Sequence, residues 1–183
     1  MDGQAMIVEM SVVAAVLAAV ALIAAYTLIT GSPPMPTSAK VKAAMLAAIP
    51  GGFEGTVFEL GSGWGTLAFA LAKRFPKSQV VACELSPAPW LFSKLRQALE
   101  RLPNLTIRRM DFHSLSLREA ALTVCYLHPG GMQKLKLKLE AELPSGALVL
   151  CNFFAVQGWR PEAVTTVDDS HYSKVYLYRI TRR

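Results

Sequence analysis

An α/β domain preceded by one membrane-spanning helix is predicted from three features of the sequence. Residues Met10 to Ile29 form an uncharged apolar run, a Pro-rich segment follows, and the remaining residues alternate short β-like apolar runs with helical ones. This alternation is typical of a Rossmann-like, doubly wound, mostly parallel sheet with helices on both faces. Seven strands are predicted, and the last two form an antiparallel C-terminal hairpin.

The N-terminal run, Met10 to Ile29, predicts a transmembrane helix. At about 1.5 Å per residue it measures about 30 Å, the thickness of the hydrocarbon core of a bilayer. Asp2 and Glu9 precede it, whereas Lys40 and Lys42 follow it. The positive-inside rule therefore predicts a single-pass protein whose domain lies on the cytoplasmic side. A cleaved export signal and a buried core helix are the alternatives.

These features divide the chain into three predicted parts. Residues 1–30 form the transmembrane anchor, residues 31–36 form a Pro-rich linker, and residues 37–183 form the globular domain. Pro33, Pro34 and Pro36 support the linker because proline interrupts helices.

Helices and strands are predicted to alternate within the domain. Helices are expected at 39–48, 67–75, 89–101 and 131–143, and strands at 56–60, 79–84, 105–109, 121–127, 147–153, 164–167 and 175–180. The segment 131–143 also shows a period of two, but Met132, Leu135 and Leu139 share one helical face, which favours a helix. Sheets of this type bind ligands at the carboxyl ends of their strands, so the loops after the first four strands are the candidate site.

Charge and cysteine content narrow the possible partners. The net charge is +6, but the 19 Lys and Arg residues are dispersed, so a nucleic-acid partner is not expected. Attraction to an anionic membrane surface would explain the same excess of positive charge. Cys83, Cys125 and Cys151 lie in predicted strands and are expected to be free thiols, and no spacing of Cys and His predicts a metal site.

The loop after the first strand is rich in glycine and follows an acidic residue, Glu59. Its residues are Gly61, Ser62, Gly63, Trp64 and Gly65. Glycines here permit a tight turn and close approach of a ligand to the backbone. The dinucleotide fingerprint GxGxxG needs glycine where this chain has Thr66. A carboxylate before the loop disfavours a pyrophosphate but suits a cofactor with a cationic sulfonium and an amino-acid group. A glycine-rich turn without a ligand is the alternative.

Two further acids end the second and third predicted strands. Glu84 can accept hydrogen bonds from both hydroxyls of a ribose. Asp111 can accept one from an adenine amino group while Phe112 covers the ring. Either acid alone is more often solvated, but three acids at successive strand ends beside this loop predict that the domain binds S-adenosylmethionine.

The fourth strand ends near Tyr126 and His128, which are the candidate catalytic residues. Either side chain can orient or deprotonate a methyl-accepting amine. The alternatives are that Tyr126 packs in the core and that His128 caps a loop.

The motifs FELGSGWG, ACELSP and MDF resemble those of the class I, seven-β-strand methyltransferases. More narrowly, the chain resembles the membrane-anchored lysine methyltransferase family that includes the enzymes modifying the ATP synthase c subunit and the adenine nucleotide translocase. The order of several segments carries this resemblance: an N-terminal apolar helix, Pro36-Thr37, GSGxG, Glu84-Leu85-Ser86-Pro87, Tyr126-Leu127-His128-Pro129, Phe153-Phe154 and Gly158-Trp159-Arg160-Pro161.

The resemblance implies an N-methyltransferase that uses S-adenosylmethionine to methylate a lysine of a membrane or membrane-associated protein. If the protein is mitochondrial, its domain lies on the matrix side. The implied cofactor contacts are Glu59, Gly61, Gly63 and Gly65 for the methionine part, Glu84 for the ribose, and Asp111 with Phe112 for the adenine. Thr37 lies close to the cofactor, and Ser62 and Leu85 are further predicted contacts.

Three other functions share these features. The acceptor can be a small molecule, quinone or lipid, or it can be RNA. The domain can also be a non-catalytic S-adenosylmethionine-binding scaffold at the membrane. Trp64 motivates this last alternative, because the family usually has an acidic residue at that position.

Overall fold

A computed structural model of the chain describes residues 3–30, 36–127 and 129–181, and the backbone forms two compact units, Met1–Pro34 and Met35–Arg183. The first unit contains helix α1 (Gly3–Thr30), which begins seven residues before the predicted run. Over Gly3–Leu28, α1 is long and apolar enough to cross a membrane. The predicted linker lies outside the described residues except for Pro36.

The second unit is a seven-stranded sheet with helices on both faces. Its strands are β1 (Thr56–Leu60), β2 (Gln79–Glu84), β3 (Leu105–Arg109), β4 (Ala120–Cys125), β5 (Leu148–Asn152), β6 (Ala163–Thr166) and β7 (Lys174–Arg179). Its helices are α2 (Ala39–Ala48), α3 (Thr66–Arg74), α4 (Pro87–Glu100) and α5 (Pro129–Glu142), with a 3-10 turn at Phe112–Ser114.

The strand order is β3-β2-β1-β4-β5-β7-β6. Strand β7 is antiparallel to β5 and β6, and the other pairs are parallel. The predicted fold, with its mostly parallel sheet and closing antiparallel hairpin, is confirmed. The predicted helix at 131–143 is observed as α5, Pro129–Glu142, in which Leu135 and Leu139 are buried while Leu137 between them is exposed.

Two apolar cores hold the sheet between its helices. The first core contains Val57, Val80 and Leu122 together with residues of α2 and α3. The second core contains Phe58, Leu135 and other buried residues on the face of the sheet that α5 covers. Alternate residues of β1, β2, β4, β5 and β7 therefore point to opposite cores, as expected for strands covered on both faces.

The buried side chain of Asn104 ties the start of β3 to the segment between α3 and β2. Its Nδ2 donates to the carbonyl oxygens of Ala72 at 3.0 Å, Phe75 at 3.1 Å and Ser78 at 3.0 Å. Without the Asn104 side chain, each of these carbonyl oxygens would lose a hydrogen-bond donor inside the protein, where an unsatisfied polar group is costly. This side chain therefore fixes the positions of α3 and β2.

Replacing Asn104 with Ala is expected to lower the free energy of unfolding by about 2 kcal/mol, because it removes a hydrogen-bond donor from three carbonyl groups. Urea unfolding followed by circular dichroism, with the full chain in detergent, measures this change. Thr106→Ala, at an exposed position of the same strand, is the matched control. Equal stability of the two variants would contradict this role of Asn104.

Candidate active site

The register of the sheet aligns the ends of four neighbouring strands, β2, β1, β4 and β5, at its carboxyl edge. The last paired positions across these strands are Cys83, Leu60, Cys125 and Cys151. The residues that follow them are Glu84, Gly61, Tyr126 and Asn152. Residues predicted from three separate sequence motifs therefore meet at this edge.

The end of β2 holds the glycine-rich loop of residues 61–65 in place. The backbone N–H groups of Gly61 and Ser62 both donate to the carbonyl oxygen of Cys83 at 2.9 Å. The N–H of Gly63 donates to Oε2 of Glu84 at 2.7 Å. The loop is therefore ordered by hydrogen bonds within the protein itself.

Glu84 is buried and uses both carboxylate oxygens to organise the edge. Besides the bond from Gly63, Oε1 accepts a hydrogen bond from the N–H of Ser86 at 2.7 Å. A carboxylate oxygen has two lone pairs, so each oxygen of Glu84 retains one acceptor position. Glu84 can therefore hold the loop and still accept two hydroxyl groups of a ligand.

Two glycines of the loop have different roles. Gly65 has a φ of +73°, and a Cβ there would lie 2.9 Å from Oγ of Ser93 and 3.0 Å from the ring of Phe69, so helices α3 and α4 leave no room for a side chain. Gly63 has a φ of +53°, and a Cβ there would meet nothing within 4 Å. The loop thus packs closely at Gly65 and presents bare backbone to open space at Gly63.

Two buried polar groups beside the loop lack partners among the described residues. They are Oε2 of Glu59 and Oγ of Ser62, whose residues are 6% and 7% exposed. Burial, reinforced by the charge of Glu84, raises the pKa of Glu59 to about 8, although a backbone hydrogen bond from Ala68 opposes the shift. Unpaired acceptors of this kind fit a positively charged donor, such as the ammonium group of S-adenosylmethionine. The residues present therefore fit that cofactor.

The predicted adenine contacts lie after β3, the strand at the edge of the sheet. Asp111 is exposed, and its Oδ1 accepts a hydrogen bond from the N–H of His113 at 2.9 Å, which starts the 3-10 turn. Phe112 is half-buried and packs against the core on the α5 side. The N–H of Met110 donates to the carbonyl of Glu84 at 3.2 Å, which ties this turn to the end of β2.

Of the other predicted residues, Leu85 and Tyr126 directly follow Glu84 and Cys125 at this edge. Thr37 is half-buried and directly precedes Ser38, whose Oγ caps α2 by accepting from the N–H of Val41 at 3.3 Å. Leu85 and Tyr126 are also half-buried. His128, the second candidate catalytic residue, lies outside the described residues.

Asn152 is a candidate residue that the sequence reasoning did not identify. It ends β5 next to Tyr126 on the edge, is 4% exposed, and its Oδ1 lacks a partner among the described residues. Phe153 follows with a φ of +67°, in the left-handed region. A polar residue at the end of the apolar run LVLCN was the available signal, but it was interpreted only as part of a strand.

Without a ligand, Glu59 is expected to make folding stability depend on pH. The folded protein keeps the Glu59 proton up to about pH 8, whereas an unfolded chain releases it near 4.5. The contribution of Glu59 to stability therefore falls as the pH rises from about 4.5 to about 8. Glu59→Gln removes this pH-dependent loss of stability. The variant is therefore expected to be about 4 kcal/mol more stable than the wild type at pH 8, since one pKa unit corresponds to about 1.4 kcal/mol.

Urea unfolding of both proteins at several values between pH 5 and pH 8 tests this dependence. Glu119→Gln, at an exposed position, is the control and is expected to follow the wild type. Parallel profiles for the wild type and Glu59→Gln would contradict the raised pKa.

Comparison with known proteins identifies the family. The profile of the ANTKMT methyltransferase domain matches residues 59–163. A protein-lysine N-methyltransferase of Saccharolobus islandicus (strain REY15A) is 30% identical over 155 residues, which are 81% of this chain and 93% of that protein. The adenine nucleotide translocase lysine N-methyltransferase of Mus musculus is 33% identical over 122 residues, which are 62% of this chain and 49% of that protein.

Solved structures show the same fold at low sequence identity. An RNA methyltransferase from Salinibacter ruber in complex with S-adenosyl-L-homocysteine has a TM-score of 0.73 and 23% identity, over 81% of this chain and 95% of that one. A precorrin-6y C5,15-methyltransferase from Geobacter metallireducens has a TM-score of 0.60 and 13% identity, over 78% and 91%. The resemblance found in the motifs is confirmed: the chain belongs to the ANTKMT methyltransferase family and is an S-adenosylmethionine-dependent methyltransferase.

Proposed function

We propose that this protein is a lysine N-methyltransferase that acts on a membrane or membrane-associated protein. The similarity to nearly the whole length of the Saccharolobus islandicus enzyme, which is named for protein lysine methylation, carries the proposal. The mouse relative is named for methylating a lysine of a translocase, which supports a substrate located at a membrane.

Helix α1 is the proposed anchor, and the domain lies on the cytoplasmic side, or on the matrix side in a mitochondrion. The length and apolar composition of α1 support the anchor, and Lys40 and Lys42 after it support the orientation. Confining the enzyme and its substrate to one membrane raises the effective concentration of each for the other. The domain therefore needs little affinity of its own for the substrate.

The cofactor is held at the carboxyl edge in the proposed arrangement. Glu59, Ser62 and the backbone of the glycine-rich loop bind its amino-acid end, where two buried groups need partners. Glu84 binds the ribose with the acceptor positions that Gly63 and Ser86 leave open. The remaining assigned contacts are Asp111 and Phe112 for the adenine, with Leu85 and Thr37 at the rim.

When bound, S-adenosylmethionine supplies a methyl group that is attached to a positively charged sulfur. This sulfur is a good leaving group. The protein must therefore hold the acceptor amine neutral and aligned, and a strong base is not required. Tyr126 and Asn152 end neighbouring strands, and their oxygen atoms can accept hydrogen bonds from the amine and orient its lone pair. His128 is the other candidate for this role. A partly buried edge also lowers the pKa of the amine, which favours its neutral form.

Replacing Glu84 with Ala is expected to weaken S-adenosylmethionine binding about 100-fold, since it removes charge-assisted hydrogen bonds to the ribose and releases the N–H of Gly63. Calorimetric titration of the full chain in detergent measures the dissociation constant, and circular dichroism checks that the variant is folded. Glu119→Ala is the control at an exposed position. An unchanged constant for a folded Glu84→Ala would remove Glu84 from the site.

Lysine methylation is expected in membrane proteins of cells that express the intact chain and not in cells that lack the gene. Mass spectrometry of membrane-protein lysines measures it, and cells expressing Glu84→Ala serve as the inactive reference. In parallel, membranes are incubated with the purified protein and radiolabelled S-adenosylmethionine. Label recovered in lipid, in a small molecule or in RNA, with unmodified lysines, would assign a different acceptor. Cofactor binding without any transfer would indicate a scaffold.

A further inference from the structure

The outer face of α4 is apolar along its whole length, which is unusual for a helix on the surface of a domain. Every residue of α4 classed as exposed is apolar, namely Leu91, Phe92, Leu95, Ala98 and Leu99. The exposed fraction rises to 61% at Leu95 and 83% at Leu99. Surface helices normally turn charged residues to solvent. These five residues, the α4 stripe, therefore form an exposed apolar surface.

Cationic side chains border the α4 stripe. At about 100° per residue, the stripe covers an arc of about 120°, with Lys94 and Arg101 beside one edge and Arg96 beside the other. The helix contains one carboxylate, Glu100, whose oxygens pair with Arg96 at 2.6 Å and Lys73 at 2.6 Å. The region thus combines an exposed apolar face with positive flanks.

Positive charge continues onto the neighbouring strand. Strand β3 is the edge of the sheet next to α4, and it exposes Arg108 and Arg109. An apolar face with Lys and Arg at its borders is the pattern of a helix that lies in the headgroup region of an anionic membrane. Anionic lipid thus matches both the apolar surface and the charge.

The chain length after α1 permits this contact. Eight residues separate Thr30 from Ala39, the first residue of α2, and at about 3.5 Å each they reach at most about 28 Å. A domain joined to a membrane-spanning helix by so short a segment stays close to the bilayer surface.

We propose that the α4 stripe docks into the headgroup region of the anionic membrane that α1 spans. This inference rests on the proposed membrane anchorage and adds a second contact, which sets the orientation of the domain. Trp64 of the glycine-rich loop packs edge-on against Phe92, with ring centroids 5.5 Å apart. The docked stripe therefore continues into the cofactor loop, so the carboxyl edge of the sheet faces substrates at the membrane surface.

A second copy of the chain fits the same face less well. An apolar strip about 13 Å long and 10 Å wide offers roughly 130 Å², whereas a stable interface buries about 800 Å² on each partner. Flanking cations on both copies would also repel each other. A lipid surface requires no matching shape and supplies the opposite charge.

Depth-dependent fluorescence quenching tests the proposal with the full chain, one copy per lipid nanodisc. Ala98→Cys places an environment-sensitive fluorophore within the stripe, and the native cysteines Cys83, Cys125 and Cys151 are buried. Spin-labelled lipid in anionic nanodiscs is expected to reduce its emission at least twofold. A fluorophore at Thr165→Cys, on exposed β6, is the reference and is expected to keep its emission.

Paired variants distinguish docking of the α4 stripe from a general effect of new negative charge on the protein surface. Leu95→Glu with Leu99→Glu is expected to abolish the quenching at position 98, while Leu137→Glu, an exposed leucine on α5, leaves it unchanged. Zwitterionic lipid or high salt is expected to reduce the quenching, because the flanking charges are then unmatched or screened. Unquenched emission at position 98 in anionic nanodiscs would overturn the proposal. A shift in the emission spectrum of this fluorophore that appears only when the protein concentration in detergent is raised would also overturn the proposal. Such a shift would indicate that the stripe binds a second copy of the chain.

The same nanodiscs distinguish this inference from the proposed function. Lysine labelling of a co-reconstituted membrane protein, measured alongside the quenching, reports the activity independently. Labelling without quenching contradicts the docking alone. Quenching without labelling supports the docking and contradicts the proposed activity.

Discussion

The end of β2 is the constraint on which the site depends. The carbonyl of Cys83 holds the first two N–H groups of the loop, and the carboxylate of Glu84 holds the third. These bonds join residues about 20 positions apart, and only the parallel register of β1 and β2 brings them together. One strand end thus shapes the loop, aligns β3 through Met110 and retains acceptors for a ligand. A site prepared in this way loses little entropy when the cofactor binds.

Three buried polar residues with unpaired oxygen atoms lie in the functional part of this domain. Glu59, Ser62 and Asn152 are each more than nine-tenths buried and each has an unpaired oxygen among the described residues. All three lie at or next to the carboxyl edge of the sheet. Proteins seldom bury polar atoms without hydrogen bonds, and exceptions are commonly found where a ligand completes the network. The cost of these groups is offset by the packing of the two apolar cores beneath them.

Local sequence predicted most of the fold. The runs 56–60, 79–84 and 105–109 match β1, β2 and β3. The first two are mainly apolar, the third alternates apolar with polar residues, and each ends at a glycine or charged residue. Helix α4 begins two residues earlier than predicted, since Pro87 and Pro89 both fit its first turn. The 3-10 turn after Asp111 was not predicted, because it depends on one side-chain hydrogen bond.

The site was less predictable than the fold. The motifs placed Glu59, Glu84 and the glycines at strand ends, where the structure has them. They did not indicate that Glu84 also binds the loop, since that contact depends on the strand register. The unpaired Asn152 and the exposed apolar face of α4 depend on which surfaces the sheet and helices cover, and this information is not local. The tertiary arrangement was therefore needed to find both.

The position of β7 has a consequence for biosynthesis. This strand is the last element along the chain, yet it lies inside the sheet, between β5 and β6. During translation the outer edge of β5 therefore stays unpaired until β7 has left the ribosome, although α1 emerges first. An apolar, unpaired edge invites aggregation, so the nascent polypeptide requires shielding over this interval.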